Sequence, residues 1–259
     1  MRIARFTAGE EPVYGVVESV AGQQIVAAVA GDPLYQGAGL TGQRWDLDDV
    51  RLLAPVIPRS KVVCVGRNYA DHASELGNDV PAEPLLFLKP NTSVVGPGDP
   101  IVHPRQSEDV QFEGELAVVI GRICRDVPVS RVADVVYGYT VGNDVTARDL
   151  QKKDVQFTRA KGFDSFCPLG PWIETELAVD DLELSTTLNG ETRQSGRTSQ
   201  MIFDVPALIA YVTSVMTLLP GDVLLTGTPA GVGPMRPGDQ VAVTVEGVGT
   251  LTNMVVSRD

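Results

Sequence analysis

The sequence predicts an α+β fold that is rich in β-strands and carries a small β domain at its N-terminus. Short apolar runs bounded by glycine or proline recur, as at residues 61–65, 85–90 and 116–120, and such runs are typical of buried strands. Two hairpins are expected, one at residues 182–195 around an Asn-Gly turn and one at residues 240–256. Strands therefore outnumber the helical segments.

The N-terminal residues predict a small antiparallel sheet. Residues 1–29 alternate between apolar and polar side chains and break at two glycine-containing turns. A glycine-rich connection follows at residues 31–42, and the prolines of residues 52–58 exclude a helix there and indicate a hinge. The chain is therefore expected to divide into a small domain, residues 1–54, and a larger domain, residues 55–259.

The larger domain is expected to contain short helices between its strands. Asp204 is predicted to cap the longest helix, because an aspartate at that position accepts hydrogen bonds from the free amides of the first turn. Residues 77–84 are predicted to form a mobile lid, and residues 161–168 an irregular loop. Helices are expected at about residues 66–76, 130–136, 147–160 and 204–218, and further strands at residues 137–143 and 222–226.

Composition argues against several classes of partner. The chain has 259 residues and a formal net charge of −12, which disfavours nucleic acid and anionic membrane surfaces. Its longest apolar stretch, residues 205–219, is too short to span a bilayer, and residues 1–10 lack the apolar core of a signal peptide. The three cysteines form no Cys-x-x-Cys motif. We therefore expect a cytoplasmic protein without nucleic-acid or membrane partners.

Three carboxylates predict a metal site. Glu113 and Glu115 stand two residues apart at the start of an apolar strand, so their side chains project from the same face. Like charges entering a buried strand repel each other unless a cation lies between them, although an isolated Glu-x-Glu is more often a solvated strand end. Asp144 ends a second apolar segment. A set without Cys or His suits Mg²⁺ or Mn²⁺ rather than Zn²⁺.

A pair of side chains, His72 and Glu75, and a single lysine, Lys89, each have both a functional and a structural interpretation. His72 and Glu75 are spaced i, i+3 on a short predicted helix, where the carboxylate would orient the imidazole and raise its basicity as a general base. The same spacing also occurs in surface pairs that contribute little to stability. The spacing alone favours this structural interpretation. Lys89 ends a buried strand and either reaches water or faces an anionic ligand.

The glycine-rich segment 227–234 does not match a nucleotide-binding loop. It lacks both the Gly-Lys-Ser/Thr ending of a phosphate loop and the Gly-x-Gly-x-x-Gly of a dinucleotide fold. The chain also lacks the Gly-x-Ser-x-Gly of a nucleophile elbow, so serine hydrolysis is unsupported. The glycines of this segment are still compatible with a turn whose backbone approaches a small ligand.

Five motifs in a fixed order resemble the fumarylacetoacetate hydrolase family, over roughly residues 55–256. The motifs are Gly66-Arg67-Asn68-Tyr69-Ala70-Asp71-His72, Phe87-Leu88-Lys89-Pro90, Phe112-Glu113-Gly114-Glu115-Leu116, Asn143-Asp144-Val145-Thr146-Ala147-Arg148-Asp149 and Gly227-Thr228-Pro229-Ala230-Gly231-Val232-Gly233. The resemblance implies the C-terminal-domain fold of that family, a mixed β-sandwich roll, together with a divalent metal and a homodimer. It places the metal on Glu113, Glu115 and Asp144, with water and substrate completing the coordination.

The resemblance also implies roles for other side chains. His72 and Glu75 match a water-activating dyad on a lid, and Lys161 matches the active-site lysine of the family. The positions that match substrate-contacting residues are Arg67, Tyr69, Lys89, Gln151 and Thr228.

The function that these resemblances imply is a divalent-metal-dependent C–C bond hydrolase or decarboxylase. Its substrate would be a small anionic 2-oxo acid, an acylpyruvate or oxaloacetate, and the reaction would pass through a metal-stabilised enolate. One alternative is an isomerase or tautomerase of 2-hydroxyhepta-2,4-diene-1,7-dioate-type acids in aromatic degradation. Another is a non-catalytic metal-binding subunit of the same fold, against which the presence of His72, Glu75 and Lys161 together argues.

Overall fold

The fold consists of three β-sheets with short helices at their edges. A computed structural model of the protein describes residues 1–9 and 11–258. Its strands are β1 (Arg2–Thr7), β2 (Val13–Val20), β3 (Gln23–Val29), β4 (Leu40–Asp46), β5 (Arg51–Leu53), β6 (Val62–Gly66), β7 (Leu85–Lys89), β8 (Val94–Val95), β9 (Ile101–His103), β10 (Val110–Phe112), β11 (Gly114–Ile120), β12 (Val136–Asn143), β13 (Thr146–Ala147), β14 (Cys167–Glu174), β15 (Glu183–Leu188), β16 (Glu191–Arg197), β17 (Val223–Leu225), β18 (Gly233–Pro234), β19 (Gln240–Val245) and β20 (Gly249–Ser257). The predicted α+β, β-rich fold class is confirmed.

The α-helices are short. They are α1 (Pro33–Gln36), α2 (Ala70–Glu75), α3 (Arg148–Lys153), α4 (Thr158–Lys161) and α5 (Val205–Val215). The side chain of Asp204 caps α5 as predicted, since its Oδ1 accepts from the amide of Ala207 at 2.8 Å. Within the described part of the chain, no helix has the length and apolar character needed to cross a membrane.

The largest sheet has twelve strands and includes the N-terminal segment. Ten of its strands follow the order β4-β3-β2-β1-β14-β12-β11-β17-β6-β7, while β5 pairs with β1 and β8 with β14. The other sheets have the orders β13-β10-β18 and β16-β15-β19-β20-β9. Because β1 pairs with β14, with Arg2 opposite Glu174, the small N-terminal sheet is continuous with the central one.

Strand β11 lies at the centre of the core and is buried on both faces. Leu116 and Val118 pack in a cluster that includes Val243 of the five-stranded sheet. Ala117 and Val119 belong to a separate cluster on the opposite face. This alternation follows from the two-residue period of a strand, and it explains why every residue of β11 is buried.

Local turn chemistry accounts for the hairpin of β15 and β16. Asn189 and Gly190 have φ angles of 53° and 82°, the positive values that a tight hairpin turn requires. The predicted hairpins at residues 182–195 and 240–256 are both confirmed.

The domain boundary after residue 54 stays a prediction. The two predicted domain ranges also include Glu10 and Asp259, which lie outside the described residues.

Three sequence-based expectations differ from the structure. The predicted irregular loop at residues 161–168 ends in β14, a strand that was not predicted and that lies between β1 and β12 although it contains Pro168 and Pro171. The predicted connection at residues 31–42 contains α1 and the start of β4. The predicted helix at residues 147–160 divides into α3 and α4, with Ala147 in β13.

Asp222 ties the starts of the parallel strands β6 and β17 together. Its buried carboxylate accepts from the backbone amides of Ser60, Lys61 and Leu219 at 3.2, 3.1 and 2.9 Å, and pairs with the Lys61 ammonium at 2.9 Å. Burial opposes ionisation, but the hydrogen bonds outweigh it and hold the pKa of Asp222 below its ordinary value of 3.8. The ionised carboxylate therefore stabilises the folded state.

We predict that Asp222→Asn lowers the free energy of unfolding at pH 7 by about 2–3 kcal/mol, because it leaves buried donors unpaired. Since the pKa is lowered on folding, this stabilisation is complete above the ordinary pKa and disappears as the pH falls through the folded value. Denaturant titrations at pH 7 and pH 3 should show the difference from wild type shrinking in acid. Asp48→Asn, at an exposed site, serves as control; an equal loss in both variants would contradict the prediction.

Candidate metal centre and active site

The site is built where β11 begins and β12 ends. The two strands pair antiparallel with Gly114 opposite Asn143, so the residues that flank this pair, Glu113 and Asp144, are adjacent. The amide of Asp144 donates to the carbonyl of Glu113 at 2.8 Å, and the amide of Glu113 donates to the Asn143 side chain at 3.0 Å. The backbone thereby sets the separation of the acidic side chains.

The structure brings the three predicted metal ligands together. Glu113, Glu115 and Asp144 are buried, with exposed fractions of 4, 1 and 1%. Each offers a carboxylate oxygen within 4.8 Å of the others. Glu113 lies between β10 and β11 rather than within a strand, yet it still shares a face with Glu115. The three oxygens are close enough for one ion to contact them all.

Three buried cations surround these carboxylates. The Lys161 ammonium lies 2.7 Å from a Glu113 oxygen and 2.7 Å from an Asp144 oxygen. Lys89 donates to the other oxygen of Asp144, and Arg148 donates to the other oxygen of Glu113. Two of the three carboxylates therefore have both of their oxygens paired with cations.

These contacts determine the protonation states of the paired groups. Burial opposes ionisation of Glu113, but Lys161 and Arg148 outweigh it and hold the pKa of Glu113 well below its usual range. Burial likewise disfavours the charged amine of Lys161, and the charges of Asp144 and Glu113 overcome it and raise the pKa of that amine. Lys161 is therefore an ammonium group at neutral pH.

Glu115 differs from Glu113 and Asp144, because its carboxylate forms no ion pair among the described residues. Its carboxylate accepts the amide of Gly227 at 2.7 Å. Burial, followed by the charges of Asp144 and Glu113, raises the pKa of Glu115 well above its usual value. A divalent cation held by three carboxylates would supply the missing positive charge. The all-oxygen donor set thus fits a hard ion such as Mg²⁺ or Mn²⁺.

The predicted His72–Glu75 pair is present on α2. His72 Nδ1 lies 3.4 Å from a Glu75 oxygen, and the Glu75 carboxylate also accepts the amide of Gly231 at 3.1 Å. Glu75 acts in the predicted direction, since its hydrogen bond and its charge both raise the pKa of His72. Burial is the larger effect, and it outweighs Glu113 and Glu75 and leaves the pKa of His72 below its ordinary value. The imidazole is therefore neutral at neutral pH, the form that accepts a proton.

One cavity of about 250 Å³ connects these groups. Apolar side chains from β6, β7 and the α3–α4 connection line part of its wall. The polar and charged residues on its wall are Arg67, His72, Asn78, Glu113, Glu115, Asp144, Arg148, Gln151, Lys152, Lys161 and Thr228. Of the predicted substrate contacts, Arg67, Gln151 and Thr228 therefore reach the cavity. Asn78 is the member of the predicted lid on its wall, and movement of that lid stays a prediction.

The other two predicted substrate contacts lie elsewhere. The Lys89 ammonium donates to Asp144 and to the carbonyl of Val145 at 3.1 Å, so it holds a predicted metal ligand and does not line the cavity. The Tyr69 hydroxyl is buried without a hydrogen-bond partner among the described residues, and it too is absent from the cavity wall. Burial, with a smaller contribution from the Glu115 charge, raises its pKa above the usual range.

Sequence reasoning missed two residues that organise the site. Arg148 pairs with Glu113 and donates to Gln151 at 2.7 Å; its i, i+3 spacing from Gln151 on a helix was an available signal. Gln194 of β16 accepts the amide of Gly114 at 3.0 Å and donates to Thr228 at 2.7 Å. It comes from a different sheet, and no local pattern marks it.

Comparison with known proteins identifies the family. Residues 61–256 match the family described as fumarylacetoacetate (FAA) hydrolase C-terminal, and residues 1–55 match the one described as Rv2993c-like, N-terminal. The chain belongs to the fumarylacetoacetate hydrolase family. The resemblance that the five motifs indicated is thus confirmed, and with it the family's fold.

Relatives cover most or all of the chain. "Protein Rv2993c" of Mycobacterium tuberculosis is 51% identical over 263 residues, covering 100% of this chain and 99% of its own. A mitochondrial oxaloacetate decarboxylase of Dictyostelium discoideum is 46% identical, covering 73% and 90%. The oxaloacetate tautomerase YisK of Bacillus subtilis is 41% identical, covering 82% and 75%. Relatives that are enzymes support an enzymatic function for the family member described here.

Solved structures of the family superpose closely on the fold. A 5-carboxymethyl-2-hydroxymuconate delta-isomerase from Mycobacterium smegmatis is 50% identical, with a TM-score of 0.93 and full coverage of both chains. A 2-hydroxyhepta-2,4-diene-1,7-dioate isomerase from Mycobacterium marinum is also 50% identical, with a TM-score of 0.92, covering 100% of this chain and 99% of that one. Relatives that are 41–50% identical to this chain are thus named as a decarboxylase, a tautomerase and isomerases.

We predict that Glu113→Gln weakens Mg²⁺ and Mn²⁺ binding by at least about tenfold, because it removes one anionic ligand. Isothermal titration calorimetry of the metal-stripped protein measures this directly. Glu108→Gln changes an exposed glutamate five residues earlier and should bind metal like wild type. Unchanged affinity in Glu113→Gln would rule out this metal site.

We also predict that Lys161→Met tightens divalent-metal binding by about tenfold. The Lys161 ammonium bridges two of the predicted ligands, so its positive charge competes with a metal ion for them. The same calorimetric titration reports the effect, with Lys153→Met, at an exposed site on α3, as control. Weaker metal binding in Lys161→Met would contradict this competition.

Proposed function

We propose that the protein is a divalent-metal-dependent enzyme that cleaves a C–C bond of a small 2-oxo acid, as a hydrolase or a decarboxylase. The observation that carries this proposal is the buried triad of Glu113, Glu115 and Asp144. It shares one cavity with a lysine ammonium and a buried histidine. The volume of about 250 Å³ suits an acid of a few carbon atoms, below the usual range of drug-sized pockets.

The carboxylates of Glu113, Glu115 and Asp144 would hold Mg²⁺ or Mn²⁺. When bound, such an ion acts as a Lewis acid for negative charge on the 2-oxo oxygen of the substrate. Lys161 contributes a second positive charge next to the same carboxylates, in a site where burial strengthens electrostatic interactions.

His72 and Glu75 are placed to move a proton. Because Nδ1 faces the Glu75 carboxylate, the neutral ring is held with a proton on Nδ1 and with Nε2 free to accept another. Gly231 donates to the same carboxylate and fixes its orientation. Apo distances of this kind commonly tighten when substrate binds. The dyad thus has the arrangement of a general base.

Hydrolysis and decarboxylation use this machinery differently. In acylpyruvate hydrolysis, His72 takes a proton from water, whose oxygen attacks the distal carbonyl. The C–C bond then breaks, and its electron pair forms the enolate of pyruvate. In oxaloacetate decarboxylation, the C–C electron pair forms the same enolate as CO₂ leaves, and no attacking water is needed. Both reactions require negative charge to be stabilised at the 2-oxo oxygen.

Proton transfer alone is a second candidate. The same base could interconvert keto and enol forms of such acids, and relatives named oxaloacetate tautomerase and 2-hydroxyhepta-2,4-diene-1,7-dioate isomerase favour it. A non-catalytic metal-binding subunit is less supported, because His72 and Lys161 both reach the cavity.

We predict that the metal-stripped protein gains turnover of oxaloacetate or acetylpyruvate when Mg²⁺ or Mn²⁺ is added. Ultraviolet absorbance follows both substrates, and measured CO₂ release separates decarboxylation from tautomerisation. His72→Gln should slow acetylpyruvate hydrolysis about 100-fold or more while sparing decarboxylation. His103→Gln, at the chain's other histidine, should leave both rates unchanged. Tight metal binding without turnover of either substrate would refute the proposed reaction.

We further propose a cytoplasmic homodimer that binds no nucleic acid or membrane. The homodimer is proposed from the family resemblance. The cytoplasm is a reducing compartment, and the three cysteines, Cys64, Cys124 and Cys167, which are free and buried, are consistent with it. Light scattering of the purified protein should give twice the chain mass of 27.6 kDa. A monomeric mass at micromolar concentration would exclude the dimer.

A further inference from the structure

The segment 227–231 holds one carboxylate of the metal site and one of the proposed base pair. The amide of Gly227 donates to the Glu115 carboxylate at 2.7 Å. The amide of Gly231 donates to both oxygens of the Glu75 carboxylate, at 3.1 and 3.2 Å. Glu115 is a predicted metal ligand, and Glu75 orients the proposed base. The position of this one segment therefore affects both the metal site and the base.

This segment lies directly on strand β16 of the five-stranded sheet. A Cβ added at Gly231 would overlap the carbonyl of Arg193, and one added at Gly196 would overlap the ring of Pro229. Glycine thus allows a close approach of the two chain segments at both places. Gln194 lies on β16 between these two contacts, and its side chain is completely buried.

The side-chain amide of Gln194 connects the segment to the strand that carries the metal ligands. Its Oε1 accepts the amide of Gly114 at 3.0 Å, and its Nε2 donates to the Thr228 hydroxyl and the Pro229 carbonyl, both at 2.7 Å. Because the backbone amide can only donate and the carbonyl can only accept, the orientation of the side-chain amide is fixed. The Thr228 hydroxyl donates to the Gly114 carbonyl at 2.8 Å, which closes a ring of hydrogen bonds.

Gln194 acts on the site only through these neighbours. It does not line the cavity, and both N–H groups of its side-chain amide are engaged. Removing that amide would leave the Gly114 amide and the Pro229 carbonyl without this partner in a buried place, which is costly. The two chain segments would then shift relative to each other, and the carboxylates that they hold would shift with them.

We propose that Gln194 is a positioning residue that aligns the metal ligands and the base pair together. This inference rests on the proposed function. Through the Gly114 amide, Gln194 fixes the backbone that carries both glutamate ligands. Through Thr228 and Pro229, it fixes the segment that holds Glu75. Groups behind the ligands that set their orientation commonly change metal affinity or activity by roughly 10–100-fold.

The variant Gln194→Met tests this assignment with two measurements that do not depend on turnover. Calorimetry of the metal-stripped protein with Mn²⁺ alone should show binding at least about tenfold weaker than in wild type. Nitrogen NMR of the metal-free protein, above the pKa of His72, reports which ring nitrogen carries the proton. Wild type should hold that proton on Nδ1, and the variant should populate the Nε2-protonated form more. The His103→Gln variant identifies the signals of the second histidine.

Asn253→Leu is the matched control. Asn253 is a buried amide of the same sheet that also donates to two carbonyls, those of Gly96 and Asp99, and it does not line the cavity. Denaturant titration should show a loss of stability comparable to that of Gln194→Met, while Mn²⁺ affinity and the His72 tautomer stay as in wild type. An equal loss of Mn²⁺ affinity in Asn253→Leu would assign the effect to weakened packing and overturn the inference.

Gln194→Glu provides the second test if Gln194→Met does not fold. Burial favours its neutral carboxylic acid, which accepts from Gly114 and donates to one of the two remaining partners. It should therefore change Mn²⁺ affinity and the tautomer in the same direction and by less. Unchanged affinity and tautomer in whichever Gln194 variant folds would overturn the inference and leave the proposed function standing. Failure of wild type to bind Mn²⁺ would overturn both.

Discussion

The site depends on compensation of charge in a buried place. Three carboxylates are enclosed where two central strands meet, and uncompensated burial of even one would be costly. Lys89, Arg148 and Lys161 neutralise two of them, and Glu115 is left with a single backbone amide. The position where a cation is missing is therefore also the position where a metal ion would be most strongly stabilised.

The same arrangement explains why one site suits several reactions. A metal ion and Lys161 would stabilise negative charge at a single oxygen, and that requirement is common to hydrolysis, decarboxylation and tautomerisation of 2-oxo acids. What would distinguish these reactions is the proton that His72 accepts: one from water in hydrolysis, one from the substrate in tautomerisation, and none in decarboxylation.

Short-range rules in the sequence predicted much of this correctly. The two-residue period of a strand placed Glu113 and Glu115 on one face, the Asn189-Gly190 pair predicted a hairpin, and Asp204 predicted a helix start. Asp144, at the end of a second apolar segment, was predicted as the third ligand from its position, and the resemblance of five motifs implied the same three residues. The central strand β14 was not predicted; it contains two prolines, which are unusual in a central strand, and its place between β1 and β12 depends on tertiary pairing.

The sequence by itself determined the fold class, the family and the residues able to bind a metal, since these depend on local periodicity and on motifs. Only the tertiary structure decided which charges meet. Lys89 was predicted to contact substrate but supports Asp144, and Gln194 reaches the site from another sheet. The effect of Glu75 on His72 had the predicted direction, but only the packing shows that burial outweighs it and lowers the pKa of His72. Contacts and desolvation depend on how distant segments pack, which no local pattern records.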